Sequence, residues 1–200
     1  KPGFFLQVKV EIWLRELRRM VARVDVEPVL RPHDDLGKAD KGDVYLPVIH
    51  CRDCHATGWG ATLPRTSPNQ LQQDLRSFYS AFFAEDVVTR FLFPATDGAD
   101  RRTFERKPLC PKCGTLHQAG QNGCSHCGHD TLVMIDITAN LREATRNGAR
   151  FMRSSHDCPY CVGRKTLTIV GSQAASLAAV MVGQLFSSRY NQDKKLIAFS

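Results

Sequence analysis

All eight cysteines of this 200-residue chain belong to Cys-x-x-Cys pairs. The pairs are Cys51/Cys54, Cys110/Cys113, Cys124/Cys127 and Cys158/Cys161. Such a turn brings two thiolates to the same side, so two turns together supply the four soft ligands of a tetrahedral Zn²⁺ site. Metal binding by such turns is part of folding itself, so this pattern constrains the fold more than any other feature.

Two other uses of cysteine fit the pattern less well. Disulfides would close very short loops here, whereas secreted disulfide frameworks spread their cysteines over varied spacings. A thiol redox site needs one pair at a helix N-terminus, where the thiolate pKa is lowered, and four pairs exceed that need. The pattern therefore favours structural zinc, with two ions per chain.

The inner two pairs predict a zinc ribbon at residues 108–130. Only ten residues separate them, and a glycine, Gly114 or Gly128, follows each pair and relaxes the tight turn. The outer four cysteines are then left to form a second site. The rival pairing joins 51/54 with 110/113 and 124/127 with 158/161. We favour the nested pairing, because a ten-residue hairpin closes at a lower entropy cost than a 55-residue loop.

Histidines also lie beside the cysteine pairs. They are His50, His55, His126, His129 and His156. Any of them could replace a thiolate, but the cysteines already fill two closed sites. We therefore expect the histidines to lie on the surface or around the ligands, and both sites to be structural rather than catalytic.

The residue pattern predicts an α+β fold of short mixed strands and helices. Apolar runs predict strands within 5–14, 44–51, 87–95, 131–138, 165–171 and 195–200. Helical patterns cover 13–24, 67–85, 139–146 and 172–187. In the second of these helices, Ser67 is the expected N-cap, with Pro68 at the first helical position and Gln70 completing a capping box.

The net charge of +7 favours a polyanionic partner. Basic residues cluster late in the chain, and four of them are candidates for nucleic-acid contact: Arg142, Arg146, Arg150 and Arg153. A solvated basic surface is an equally good interpretation of these arginines. No apolar run approaches the roughly 18 residues of a membrane helix. The apolar stretch near the N-terminus is short and interrupted, so we expect no signal peptide. We therefore expect a cytoplasmic protein without a membrane partner.

Catalytic signatures are missing from the sequence. It contains no G-x-x-x-x-G-K-[ST] phosphate loop, no G-x-S-x-G and no H-E-x-x-H. We therefore predict no active site within these residues.

Two stretches, "LPVIHCRDCHATGWGA" and "GSQAASLAAVMVGQLFSSRYNQDKKLIAFS", resemble the large bacterial superfamily 2 (DEAD/DEAH-box type) helicases that carry cysteine-rich insertions. The resemblance implies a longer, ATP-dependent helicase or translocase that binds ATP outside these residues and acts on nucleic acid, with DNA preferred. Residues 1–50 would lead into the zinc-binding insertion, 51–165, and residues 166–200 would begin a RecA-like motor domain. A non-enzymatic zinc-ribbon module that docks protein or nucleic acid is the alternative, and a purely structural insert is a third.

Overall fold

A computed structural model describes residues 19–96 and 104–171 of the chain. All of these except Gly171 belong to one compact unit, Arg18–Val170. The expected strands at 5–14 and 195–200, the helix at 172–187 and most of the expected RecA-like segment lie outside the described residues. The division into three regions stays a prediction.

Strands dominate the described part of the chain. They are β1 Met20–Arg23, β2 Leu30–Pro32, β3 Tyr45–Cys51, β4 Thr57–Thr62, β5 Thr89–Pro94, β6 Phe104–Leu109, β7 Val133–Thr138, β8 Leu141–Arg146, β9 Ala149–Ser154 and β10 Leu167–Ile169. A single α-helix, α1 Leu75–Phe83, and two 3-10 turns, His33–Asp35 and Lys38–Asp40, complete this part. The expectation of a mixed fold is confirmed, but the balance is more β-rich than expected.

Eight strands form one antiparallel sheet in the order β2-β1-β3-β4-β5-β7-β6, with β10 also paired to β3. The register of β10 on β3 sets Leu167 opposite Cys51 and Ile169 opposite Ile49. The last residues of β3 therefore lie beside a segment more than 100 positions later in the sequence. The remaining strands, β8 and β9, pair only with each other in a separate hairpin.

Both faces of the sheet are buried at its central strands, β3, β4 and β5. Leu46 and Val48 of β3 pack in one apolar cluster with Trp59, while their neighbour Ile49 packs in another with Phe78 of α1. This split follows from the alternation of side chains along a strand. Gly60 makes room for the helix, because a Cβ there would lie 2.0 Å from the ring of Phe78.

The strand predictions within 44–51, 87–95, 131–138 and 165–171 are confirmed by β3, β5, β7 and β10. The helix predicted over 139–146 is wrong, because this segment is β8. The adjacent Asn147 and Gly148 have φ of 51° and 79°, as the two central residues of a type I′ hairpin turn require. The helix predicted to extend to Val24 is also wrong, since residues 20–23 form β1.

The helix predicted over 67–85 begins later than expected, at Leu75. Asp74, not Ser67, is the N-cap of α1, and its carboxylate accepts a hydrogen bond from the Ser77 N–H at 2.7 Å. The preceding residues are engaged elsewhere: the Leu71 N–H donates to the Gly114 carbonyl at 3.0 Å. A tertiary contact with the inner cysteine turn thus overrides the local capping signal.

Within residues 19–96 and 104–171, no helix is both long and apolar enough to cross a membrane.

Candidate metal centres

The eight cysteines gather into two groups of four. The inner group is Cys110, Cys113, Cys124 and Cys127, and the outer group is Cys51, Cys54, Cys158 and Cys161. Within each group all four Sγ atoms lie within 4.8 Å of one another, and all eight thiols are free of disulfides. The grouping is that of the nested pairing and not of its rival.

The sulfur spacing fits tetrahedral metal coordination. In the inner group, Cys110 Sγ lies 3.5 Å from Cys127 Sγ, and Cys113 Sγ lies 3.5 Å from Cys124 Sγ. In the outer group, the Cys51–Cys161 and Cys54–Cys158 sulfur distances are both 3.6 Å. Four sulfurs at about 2.3 Å from a central Zn²⁺ stand about 3.8 Å apart. Both groups are therefore close to the size that one tetrahedral ion requires.

All four Cys-x-x-Cys turns share one backbone hydrogen bond. The N–H of the first cysteine donates to the carbonyl five residues later, at 2.7–2.9 Å. The pairs are Cys51 with Ala56, Cys110 with Thr115, Cys124 with His129, and Cys158 with Gly163. The repetition indicates that the outer turns are built like the inner ones, although the outer turns lack the glycine that marks the inner ones in the sequence.

In all four turns, the residue after the Cys-x-x-Cys pair has a left-handed backbone conformation, with positive φ. Gly114 and Gly128 have φ of 76° and 75°, and His55 and Val162 have φ of 63° and 57°. Glycine adopts this conformation without strain, whereas a β-branched residue there is an outlier. The outer site thus uses the same turn at a conformational cost.

Hydrogen-bond donors around the sulfurs favour the thiolate form of one cysteine in each group. Burial raises the pKa of Cys51, but hydrogen bonds from the backbone N–H groups of Cys54 and Asp53 contribute to an overall lowering of the pKa to about 6. In the inner group, burial likewise raises the pKa of Cys124, and N–H groups of Cys127 and His126 bring it down to about 5. Thiolates are the form that binds metal.

In each group, burial has the larger effect on the pKa of the first cysteine of the other turn, Cys158 in the outer group and Cys110 in the inner group. It raises the pKa of Cys158 and of Cys110 to about 12, against opposing N–H hydrogen bonds. Four thiols packed this closely cannot all ionise without a compensating cation, because like charges disfavour one another. A bound cation would provide that compensation.

The outer site joins two distant parts of the sheet. Cys51 ends β3, and the Arg52 N–H donates to the Thr166 carbonyl at 3.0 Å, just before β10. The Leu167 N–H in turn donates to the His156 carbonyl at 2.9 Å. Backbone pairing therefore brings the turn at Cys158 beside the turn at Cys51.

Gln70 is a site residue that the sequence did not reveal. Its side-chain Nε2 donates to the Cys113 carbonyl, and its Oε1 accepts from the Thr115 hydroxyl at 2.7 Å. Thr115 Oγ1 lies 3.1 Å from Cys113 Sγ. Gln70 therefore orients the inner turn instead of completing the predicted capping box. No sequence signal marks it, because the contact spans more than 40 residues.

Neither four-thiol group among the described residues includes a histidine. His50 and His55 stack on each other beside the outer site, with ring centroids 5.5 Å apart. His156 stacks on Phe82 with ring centroids 4.0 Å apart. Burial lowers the pKa of His156, which favours its neutral form. These positions agree with the expectation that cysteines alone supply the candidate ligands.

The four predicted nucleic-acid-binding arginines lie on the β8–β9 hairpin, not on a helix. Cross-strand pairing sets Arg142 opposite Arg153, so both lie on one face, and Arg146 shares that face. Arg150 lies on the other face, 3.6 Å from the Glu143 carboxylate. The structure thus brings three of the four arginines together.

The three arginines differ in their partners. Arg153 pairs with the Glu85 carboxylate after α1. Arg142 donates to its neighbouring carbonyls of Ala139 and Leu141, at 2.7 and 3.0 Å. Arg146 is exposed and makes no ion pair with any residue that the structure describes. A cleft of about 970 Å³ lies between this hairpin and the end of α1, lined by Arg146, Phe151 and Glu85 among others.

No family model matches the sequence, and neither a curated protein nor a solved structure matches the chain. The geometry by itself supports two sites that can each hold one metal ion.

Proposed function

We propose that the chain is a zinc-stabilised structural region that binds two Zn²⁺, each through four cysteine thiolates. The observation that carries the proposal is the pair of four-sulfur groups, each within 4.8 Å. Thiolates are soft ligands, which suit zinc and iron and not the hard cations that prefer oxygen. An iron–sulfur cluster distributes its cysteines over several irons, whereas sulfurs 3.5–3.6 Å apart fit a single ion.

The proposed role of both ions is structural. Four protein ligands leave no open position on a tetrahedral zinc for water or substrate. The inner ion would hold the turn that follows β6 against a second turn 14 residues later in the chain, counted from Cys110 to Cys124. The outer ion would join the end of β3 to the segment before β10. One metal would thus stabilise the turns that follow β6, and the other would stabilise the junction between β3 and β10.

A second part of the proposal concerns context. Because of the resemblance given by the segments around Cys51 and after Val170, we place this region in an ATP-dependent helicase or translocase. ATP would bind in motor domains flanking this region, and the region would help to contact nucleic acid, with DNA preferred. The basic β8–β9 hairpin supports the nucleic-acid contact. The competing proposal is a non-enzymatic zinc-ribbon module that docks protein or nucleic acid.

Metal analysis of the purified chain tests the first part. Mass spectrometry of the intact protein under native conditions and elemental analysis should both give two zinc ions per chain. Cys161→Ser should retain one. Iron instead of zinc, or a wild-type stoichiometry below two, would overturn the proposal.

The context is tested with the protein expressed from its complete gene. The helicase proposal expects nucleotide-binding motifs in the flanking sequence and ATP hydrolysis that nucleic acid stimulates. The 200-residue chain alone should hydrolyse no ATP. A complete gene product without ATP hydrolysis would favour the docking module instead.

A further inference from the structure

We propose that the β8–β9 hairpin binds single-stranded nucleic acid, with a base stacked on Phe151 and phosphates held by Arg142 and Arg146. This inference deepens the nucleic-acid contact of the proposed function and rests on it.

The strand register defines the binding face. Phe151 of β9 lies directly opposite Ala144 of β8, and side chains opposite each other in an antiparallel pair share a face. Arg142 and Arg146 flank Ala144 two positions away on either side, so both also lie on that face. The small Ala144 leaves the Phe151 ring uncovered by its cross-strand partner. The aromatic position therefore lies diagonally between two arginine positions on the same face.

The face is accessible, and its two strands contribute three arginines and no acidic residue to it. Glu85 and Asp86 line the other side of the cleft, and Glu85 pairs with Arg153. Phe151 is 44% exposed, which is unusual for a large apolar ring in the middle of a strand. The hairpin from Leu141 to Ser154 contains four arginines and one glutamate, and that glutamate, Glu143, lies on the opposite face with Arg150. A basic surface with an exposed aromatic ring matches the way proteins bind single strands, through phosphate contacts and base stacking.

The hairpin is held in place at its base. The Ser154 N–H donates to the Glu85 carbonyl at 2.8 Å, and the Ser155 N–H donates to the Asn140 carbonyl at 2.7 Å. Asn140 itself is buried and donates from its side chain to the Thr89 carbonyl at 3.0 Å. At the other end, the type I′ turn closes the strands. A ligand would therefore meet a preformed surface, which reduces the entropy cost of binding.

The ring distinguishes a single strand from a duplex. Stacking needs the face of a base, and paired bases in a duplex cover these faces with one another. A two-stranded ribbon can also enter the major groove of a duplex, but it then reads base edges with polar side chains. Phe151 offers nothing to a base edge except contact with a methyl group. The exposed ring thus favours the single strand.

The test measures binding of the zinc-loaded 200-residue chain to fluorescently labelled oligo(dT), oligo(rU) and a DNA duplex of equal length, by anisotropy. We expect the single strands to bind more tightly than the duplex, with affinity falling as salt rises because phosphate contacts release counterions. Phe151→Ala should weaken single-strand binding about tenfold, and Phe151→Tyr should retain it. Arg146→Gln should also weaken binding and lower the salt dependence by about one counterion.

Matched controls lie on the opposite face of the same hairpin. Of the four predicted arginines, Arg150 is the one that the structure sets on the other face, beside Glu143. Arg150→Gln therefore removes an equal charge beside the same turn, and Thr145→Ala changes the residue directly opposite it. Both should leave single-strand affinity unchanged. Zinc content and far-ultraviolet circular dichroism of every variant establish that the fold is retained. Comparing the affinities for oligo(dT) and oligo(rU) shows whether the hairpin prefers DNA or RNA.

Several outcomes would overturn the inference while leaving two bound zinc ions intact. They are equal or tighter binding of the duplex, unchanged binding by Phe151→Ala, and equal losses from Arg146→Gln and Arg150→Gln. If the wild-type chain binds no nucleic acid at all, the nucleic-acid contact of the proposed function fails together with the inference. Loss of the zinc proposal would instead be seen in the metal analysis alone.

Discussion

His55 and Val162 occupy equivalent positions in the two turns of the outer site, and both adopt a left-handed backbone, with φ of 63° and 57°. In the inner site the same two positions are Gly114 and Gly128. For an L-residue this conformation costs about 1–2 kcal/mol, and Val162 is β-branched and 79% exposed, so packing does not repay that cost. The outer turns are therefore strained where the inner turns are not.

The strain leads to the first prediction. Val162→Gly should raise the free energy of unfolding of the zinc-loaded chain by about 1 kcal/mol, because removing the Cβ relieves the backbone strain. The greater flexibility of glycine in the unfolded state offsets part of this gain. Denaturant unfolding measures the change. The control is the reverse substitution in the inner site, Gly128→Val. It should lower the free energy of unfolding by a similar amount through backbone strain alone, because a Cβ at this position meets no atom within 4 Å. A less stable Val162→Gly would contradict the account.

The second prediction concerns which cysteines share an ion. In the nested grouping Cys110 and Cys124 bind the same zinc, so the double variant Cys110→Ser/Cys124→Ser should still hold one ion. In the rival pairing these cysteines belong to different sites, so the same variant would lose both. Native mass spectrometry gives the count directly. As a control, Cys51→Ser/Cys110→Ser should lose both ions, because these two cysteines share an ion only in the rival pairing.

The grouping of the cysteines could be predicted because spacing favours one pairing over its rival. Two turns ten residues apart close on each other at a lower entropy cost than distant turns do, and the remaining four cysteines are then left together. The β3, β5 and β7 strands could also be predicted, because runs such as Val133–Thr138 are rich in β-branched residues. Local sequence therefore sufficed wherever local chemistry decides the structure.

The β8–β9 hairpin, the start of α1 and the role of Gln70 could not be predicted. In these cases, either two local signals competed or a contact between distant residues decided the structure. The Asn147-Gly148 dipeptide favours a hairpin, but the helix-forming composition of the preceding residues favoured a helix, and the turn decided the outcome. Ser67 has every local mark of an N-cap, yet its segment bonds to the inner cysteine turn. The role of Gln70 at Cys113 follows from tertiary packing, which no local pattern encodes.

The third prediction tests how closely α1 packs on the sheet. Gly60→Ala should destabilise the chain by about 1–3 kcal/mol or more, because the new Cβ would lie 2.0 Å from Phe78 Cζ and overpack a buried face. Phe78→Leu alone should also destabilise. In the double variant the smaller Leu side chain should accommodate the new methyl group. The double variant should therefore lose less stability than the sum of the two single losses. Additive losses in denaturant unfolding would refute this close contact.

The fourth prediction concerns the pH dependence of stability at Glu85. Burial raises the pKa of this carboxyl, but the Lys165 ammonium, 3.2 Å away, and the Arg153 guanidinium outweigh it and lower the pKa overall. A pKa lower in the folded than in the unfolded state stabilises the fold above the unfolded pKa of about 4.3. That contribution is lost as the pH falls through the folded value.

Glu85→Gln should therefore cost about 1 kcal/mol at pH 7, and the difference from wild type should shrink towards acid pH. Denaturant unfolding of both proteins measures this from pH 7 down to the lowest pH at which both still hold two zinc ions, so that the same folded state is compared throughout. The control Glu143→Gln removes a well-exposed partner of Arg150 and should change stability little at any pH. A difference at Glu85 that grows on acidification would have the wrong sign for this account.

X-ray absorption at the zinc edge, on the purified wild-type chain, tests the central claim most directly. We predict zinc surrounded by four sulfur atoms at about 2.3 Å, in an amount of two ions per chain. A shell containing nitrogen or oxygen ligands, an absent zinc edge, or sulfur atoms joined to one another as disulfides would contradict it.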